Sequence, residues 1–182
     1  MNYVEPIRQP EKVEDISNYL KKYSERNYIM FQIGIYSGLR ISDILRLRVR
    51  DVKNKDTICI REQKTGKQKI FPIAPHLKKE IKKYIEGKEI SEYLIKSRAG
   101  YNKALGRKQA YNILSEAGRA IGLYNLGTHT LRKTFGYHFY IQYKDVVALQ
   151  EIFNHAAPEI TLRYIGIKQS HINKMMKNFK IY

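Results

Sequence analysis

Apolar residues along this chain recur mostly at helical spacing. Residues 13–23 and 28–36 carry them on the three- and four-residue period of a helix face. The second stretch is apolar nearly all round, which predicts a buried helix. Gly38 interrupts, and Ile41, Ile44, Leu45 and Leu47 then form another helical stripe. The character changes at Asp51. Thr57–Arg61 is rich in β-formers, residues 70–73 are a second short run, and Lys64-Thr65-Gly66-Lys67 lies between them, which reads as a β-hairpin with a glycine-bearing turn. Pro75 suits a first helical turn, and the stretch to Gly87 places Leu77, Ile81, Tyr84 and Ile85 on one side. Tyr93-Leu94-Ile95 is a short apolar piece compatible with either state.

Further helices are expected over 108–121 and 130–143, the latter with a wide apolar face of Leu131, Phe135, His138, Phe139 and Ile141. Asp145 is placed to cap the next, through Phe153. Pro158 and Glu159 suit the start of another that ends near Gly166, and residues 170–178 read as a last basic helix. Residues 1–12, with Pro6 and Pro10, read as an extended arm. The sum is a mainly α domain with a small antiparallel β-sheet, an α+β class, spanning 1–182 as a single unit.

Composition narrows the options. Apolar residues make up 43% of the 182, enough for a packed core. No stretch approaches the roughly 20 apolar residues of a membrane span, and the N-terminus lacks a signal-peptide core, so a soluble cytoplasmic protein is expected. Cys59 is the single cysteine, which excludes an intramolecular disulfide and a multi-cysteine metal site. Charge says more. Lysine and arginine number 34 against 17 acidic residues, a net charge of +17. Such a surface attracts polyanions, and nucleic acid is the first candidate because counterion release drives binding to phosphates.

The five histidines (His76, His129, His138, His155, His171) are scattered without HExxH spacing, and no GxxxxGK[ST] loop occurs. Neither metal nor ATP chemistry has support, so no cofactor is expected. A metal-free enzyme acting on phosphate must neutralise transition-state charge with cations, and the planar fork of arginine suits this best. Arg40 lies in Gly38-Leu39-Arg40-Ile41-Ser42-Asp43 at a predicted helix start. Arg132 lies in His129-Thr130-Leu131-Arg132, where an i,i+3 pair shares a face near a helix N-terminus. Each alone is weak, because most of the arginines must be solvated and HxxR is common by chance.

Taken in order, these pieces carry a resemblance. Gly38 to Asp43, then Lys64 to Lys67 on a hairpin, then His129 to Arg132, then Asn154-His155, then Tyr164 nine residues later closely resemble the tyrosine recombinase (phage integrase) family. The match runs from about Glu14 to Tyr164. It implies the DNA breaking–rejoining catalytic-domain fold and a metal- and ATP-independent site-specific recombinase working through a 3′-phosphotyrosine intermediate. Arg40 and Arg132 would hold the non-bridging phosphate oxygens, and Lys64 would protonate the departing 5′ oxygen. His129 would serve as an acid/base partner, His155 would hydrogen-bond the phosphate, and Tyr164 would attack. Asp43 would orient a basic group, and Lys67, Lys69 and Lys133 would contact DNA.

The chain departs from the family pattern at two positions. Lys133 stands where a second histidine is frequent, and Asn154 where glycine is common before the histidine. The single-domain reading also leaves no room for the N-terminal core-binding domain of many relatives. The expected partner is double-stranded DNA, engaged by four copies of a chain that can be monomeric when free. Ile172, Met175, Met176 and Phe179 supply apolar groups for docking on a neighbouring protomer or on the chain's own domain. A type IB topoisomerase-like relaxing enzyme would use much the same residues, and a non-catalytic DNA-binding regulator would need only the surface.

Overall fold

The computed structural model describes residues 4–167 and 176–181. Eight α-helices and one hairpin are present among them: α1 (Pro10–Tyr23), α2 (Glu25–Ser37), α3 (Ile41–Arg46), β1 (Thr57–Arg61), β2 (Gln68–Pro72), α4 (Pro75–Tyr84), α5 (Arg107–Ala120), α6 (Thr128–Tyr143), α7 (Val146–Phe153) and α8 (Pro158–Tyr164). This is the mainly α architecture with a small antiparallel sheet that the pattern predicts. The strands pair antiparallel with Cys59 opposite Ile70.

Local chemistry sets the boundaries. Proline opens α1, α4 and α8, where its missing N–H has no intrahelical partner to lose. Ser24 caps α2 by accepting the Asn27 amide, and Asp145 caps α7 by accepting the Ala148 amide at 2.9 Å. Gly38 ends α2 with a positive φ of 62°, and a Cβ there would lie 2.4 Å from the Phe135 ring. Only glycine allows both the turn and the approach of α6.

The nearly apolar α2 is the buried helix at the centre, packed against α1, α3, α4 and α6. The larger core runs from α1 through α5, takes in Ile58 of the hairpin, and reaches Leu131 of α6. A second cluster, Leu149, Phe153, Ile165 and Ile167, joins α7 and the end of α8 to Phe135 on the same α6. Gly136 permits this seat: a Cβ there would lie 2.7 Å from both Phe153 and Ile165. Helix α6 therefore links the two clusters, and its first turns lie where both meet.

Some expectations are corrected. Residues 10–12 belong to α1, because Pro10 starts the helix rather than extending the arm. The remaining arm is pinned: the Ile7 amide donates to Thr134 Oγ1 at 2.9 Å, and Arg8 donates to the Gly166 carbonyl at 3.1 Å. Ile141 is exposed, while its neighbours Phe139 and Tyr140 carry the face packed against the second cluster. Tyr93 forms an isolated bridge to Arg48, which adds an edge contact without a strand. Of the expected helix over 170–178, Ile172 and Met175 lie outside the described residues, while Met176 and Phe179 are exposed. No helix among the described residues is long and apolar enough to cross a membrane.

Candidate active site

Five separate elements deliver the expected site residues. Arg40 is the N-cap residue of α3, Lys64 sits in the hairpin turn, His129 and Arg132 occupy the first turns of α6, His155 follows α7, and Tyr164 ends α8. Arg40, Lys64, His129 and Arg132 line one open cavity of about 340 Å³. Tyr164 reaches this group from the far side, its phenol oxygen 3.4 Å from His129 Nδ1. The His155 ring lies edge-on to the Tyr164 ring with centroids 5.2 Å apart. Residues separated by more than a hundred positions thus meet around one space.

Arg132 is the buried pivot, 3% exposed. It donates through Nη1 to the Gly38 carbonyl at 2.6 Å and through Nη2 to the Phe153 carbonyl at 2.9 Å, and it lies over the Phe153 ring. One guanidinium therefore ties the end of α2 to the end of α7 and retains donors for the cavity. Burial lowers its pKa to about 10, which leaves it charged at neutral pH.

Electrostatics sort the remaining groups. Burial is the main force lowering both histidines, helped by Arg132 and Arg40, and it brings His155 to about 4. Both rings are neutral near pH 7 and can accept protons. Burial raises the Tyr164 phenol, against the pull of Arg132 and Arg40, so it carries its proton. His155 Nδ1 lies 3.0 Å from Thr161 Oγ1, which locks the ring to α8.

The pattern did not single out Glu62, whose side chain is fully buried at the base of the hairpin turn. Its Oε1 accepts from Arg40 at 2.6 Å and lies 3.2 Å from Lys69 Nζ; its Oε2 accepts from Thr65 Oγ1 at 2.7 Å and from Asn154 Nδ2 at 3.0 Å. Burial alone would raise this carboxyl, yet the Thr65 hydroxyl, the Lys69 and Arg40 charges and the Asn154 amide hold it at about 2. A signal existed: Ile58, Ile60 and Glu62 share the inward parity of one strand, so a carboxylate was aimed at the interior. Arg107, the first residue of α5, also lines the cavity and escaped notice because the helix was expected to start one residue later.

The lysines divide. Lys64 and Lys67 are exposed on the hairpin. Lys69, expected to face DNA, points inward to Glu62 and the Ile152 carbonyl. Lys133, expected likewise, is buried with its Nζ 5.3 Å from the centre of the Tyr164 ring. Asp43 holds backbone: its Oδ1 accepts the Gln63 amide at 3.0 Å, beside Lys64, and its buried Oδ2 has no hydrogen-bond partner among the described residues. Among the described residues no group of three or more His, Cys, Asp or Glu side chains is placed to hold a metal ion.

Fold and site together define the catalytic-domain class of DNA breaking–rejoining enzymes. Two solved structures share the fold: XerA recombinase, at TM-score 0.80, 18% identity and coverage of 99% of this chain and 66% of that one, and the Tn1549 transposon integrase in complex with transposon right end DNA, at TM-score 0.70, 14% identity and coverage of 96% and 65%. The model of the phage integrase family matches residues 8–171. The chain belongs to that family, the tyrosine recombinases. It is 49% identical over 179 residues to the probable integrase/recombinase YoeC of Bacillus subtilis, covering 98% of each chain. The XerA relatives of Pyrococcus and Thermococcus species are longer, and the chain spans 52% to 61% of their length.

Proposed function

We propose that this chain, acting as a single catalytic domain, breaks and rejoins double-stranded DNA at specific sites with Tyr164 as nucleophile. The observation that carries this reading is the 3.4 Å approach of His129 Nδ1 to the Tyr164 phenol beside a cavity lined by Arg40, Lys64 and Arg132. A protonated phenol needs a base, and the neutral His129 ring stands where one is required. The phenol oxygen attacks phosphorus as its proton passes to His129, and the bond from phosphorus to the 5′ oxygen breaks. Lys64, exposed on the hairpin turn, supplies the proton to that leaving oxygen. Arg40 and Arg132 take the charge on the non-bridging oxygens, and His155 adds a hydrogen bond.

The product is a 3′-phosphotyrosine, which a second 5′-hydroxyl resolves by the reverse step. The phosphodiester energy is conserved, so neither ATP nor a metal enters the balance. The net charge of +17 and the DNA held by the Tn1549 integrase support DNA as substrate. Exchange between two duplexes uses four copies, whether the outcome is integration, excision or resolution of a mobile element.

The test is a nicked suicide duplex that traps the covalent intermediate. Wild-type protein is expected to become joined to its 3′ phosphate, and Tyr164→Phe to leave the DNA free. Failure of the wild type on its own site, or an adduct in the variant, overturns the reading.

A further inference from the structure

Glu62 has no role in the chemistry above, yet it is the most heavily engaged carboxylate described in the structure. Both of its oxygens are occupied, each by two partners: Arg40 and Lys69 on Oε1, Thr65 and Asn154 on Oε2. With no exposed side-chain surface and its lone-pair directions taken, it cannot reach substrate or shuttle a proton. Its partners lie on three different carriers of the site. Arg40 heads α3, Thr65 follows Lys64 in the hairpin turn, and Asn154 precedes His155.

Asn154 has a backbone of φ 51° and ψ 47°, a left-handed conformation suited to glycine and tolerated by asparagine. Glycine would make the same turn and supply no side-chain donor. Here the amide spans from the end of α7 to a carboxylate 92 residues earlier.

We propose that Glu62 is a positioning residue: with Asn154 it clamps the Arg40 guanidinium, the Lys64 turn and the His155 loop in one register. The inference rests on the reading that this site cleaves DNA through Tyr164. The clamp acts before DNA arrives, by spending one face of Arg40 on Glu62 and leaving its other donors aimed at the cavity.

The experiment compares wild type, Glu62→Gln, Asn154→Gly and the double variant. Three quantities are measured on each: the rate of covalent adduct formation on a nicked duplex at saturating protein, the affinity for the same duplex, and hydrogen exchange at the backbone amides of residues 62–67 and 155. Glu62→Gln is expected to slow adduct formation about tenfold or more while affinity holds or tightens, because a negative charge leaves a cationic site. A general loss of structure would weaken both together. Asn154→Gly keeps the turn and is expected to slow the rate several-fold and to speed exchange in the hairpin turn across the contact. The double variant should be no slower than Glu62→Gln alone, since Asn154 acts through Glu62.

Wild-type rates in Glu62→Gln, independent losses that multiply, or hairpin exchange unmoved by Asn154→Gly overturn the clamp. If the wild type forms no adduct while Asn154→Gly still loosens the hairpin turn, the clamp stands and the nucleophile assignment falls.

Discussion

The ring of His129 and the phenol of Tyr164 meet across two helices, Nδ1 to oxygen at 3.4 Å, one from the start of α6 and the other from the end of α8. Phe153 and Ile165 seat α8 on α6 through Gly136, so this distance is set by core packing, not by loop conformation. Proton transfer at such a pair contributes about 10²- to 10⁴-fold. His129→Ala is therefore expected to slow single-turnover adduct formation within that range while DNA affinity stays near wild type. An adduct rate unchanged at saturating protein would remove His129 from the proton path.

Arg132 combines a structural and an electrostatic task, and its variants should separate them. Arg132→Ala leaves the Gly38 and Phe153 carbonyls without donors in a buried place, a loss on the order of 3 kcal/mol. Urea unfolding measures it. Arg132→Lys keeps a charge but not the fork, so it should restore part of the stability while adduct formation stays about 100-fold or more below wild type. Recovery of both together would argue that only net charge matters at this position.

Much of this site was legible in the residues. Arg40 and His129 to Arg132 lie at helix starts and Tyr164 at a helix end, as the local pattern of apolar spacing, glycine and proline predicts. Glu62 was half legible: the Ile58, Ile60, Glu62 alternation pointed it inward, but nothing local revealed that Arg40 and Asn154 would meet it. The glycine-to-asparagine departure at 154 was visible, and its purpose was not, since the contact depends on how the hairpin packs against the end of α7. Lys69 and Lys133 misled for a related reason. A lysine in a chain of net charge +17 reads as solvated, and only the tertiary fold shows that each has an inward anchor. Contacts across long separations are the part that pattern cannot supply.

Acid stability should report Glu62. Its carboxyl is held at about 2 against an ordinary 4.5, so the folded state favours the ionised form. As pH falls, the unfolded chain takes up the proton first. The stabilisation is thus complete above about 4.5 and is lost between there and about 2, on the order of 3 kcal/mol. Glu62→Gln should be less stable than wild type at neutral pH, and the two should converge near pH 2. Parallel curves across that window would show that the charge contributes nothing.

His155 is lowered for a different reason, since here the charged form is penalised, but its stability is lost in the same direction. Burial, with Arg132 and Arg40 nearby, lowers its ring to about 4 from an ordinary 6.5, so the folded state disfavours the proton. Stability linked to this ring is complete above about 6.5 and falls as pH drops toward 4. Ring resonances followed by NMR should place the His155 midpoint well below the ordinary 6.5. Adding duplex DNA should raise it, because a phosphate favours the charged ring. A midpoint near 6.5 in the free protein would mean that the ring is not desolvated as the packing indicates.

Arg107 offers a cleaner probe of DNA contact than any of the groups proposed for catalysis. It is exposed at the first position of α5 and lines the same cavity as Arg40 and His129, and it makes no hydrogen bond or ion pair among the described residues. Removing it should cost the fold little, typically within about 0.5 kcal/mol for a surface substitution. If it meets a backbone phosphate beside the scissile one, Arg107→Ala should weaken binding of cognate and unrelated duplexes alike, and reduce the slope of log affinity against log salt by about one. Loss of its field should also let the His129 ring titrate higher, since Arg107 is among the charges that lower it. Binding titrations at several salt concentrations decide the first point, and an unchanged slope would place Arg107 off the DNA path.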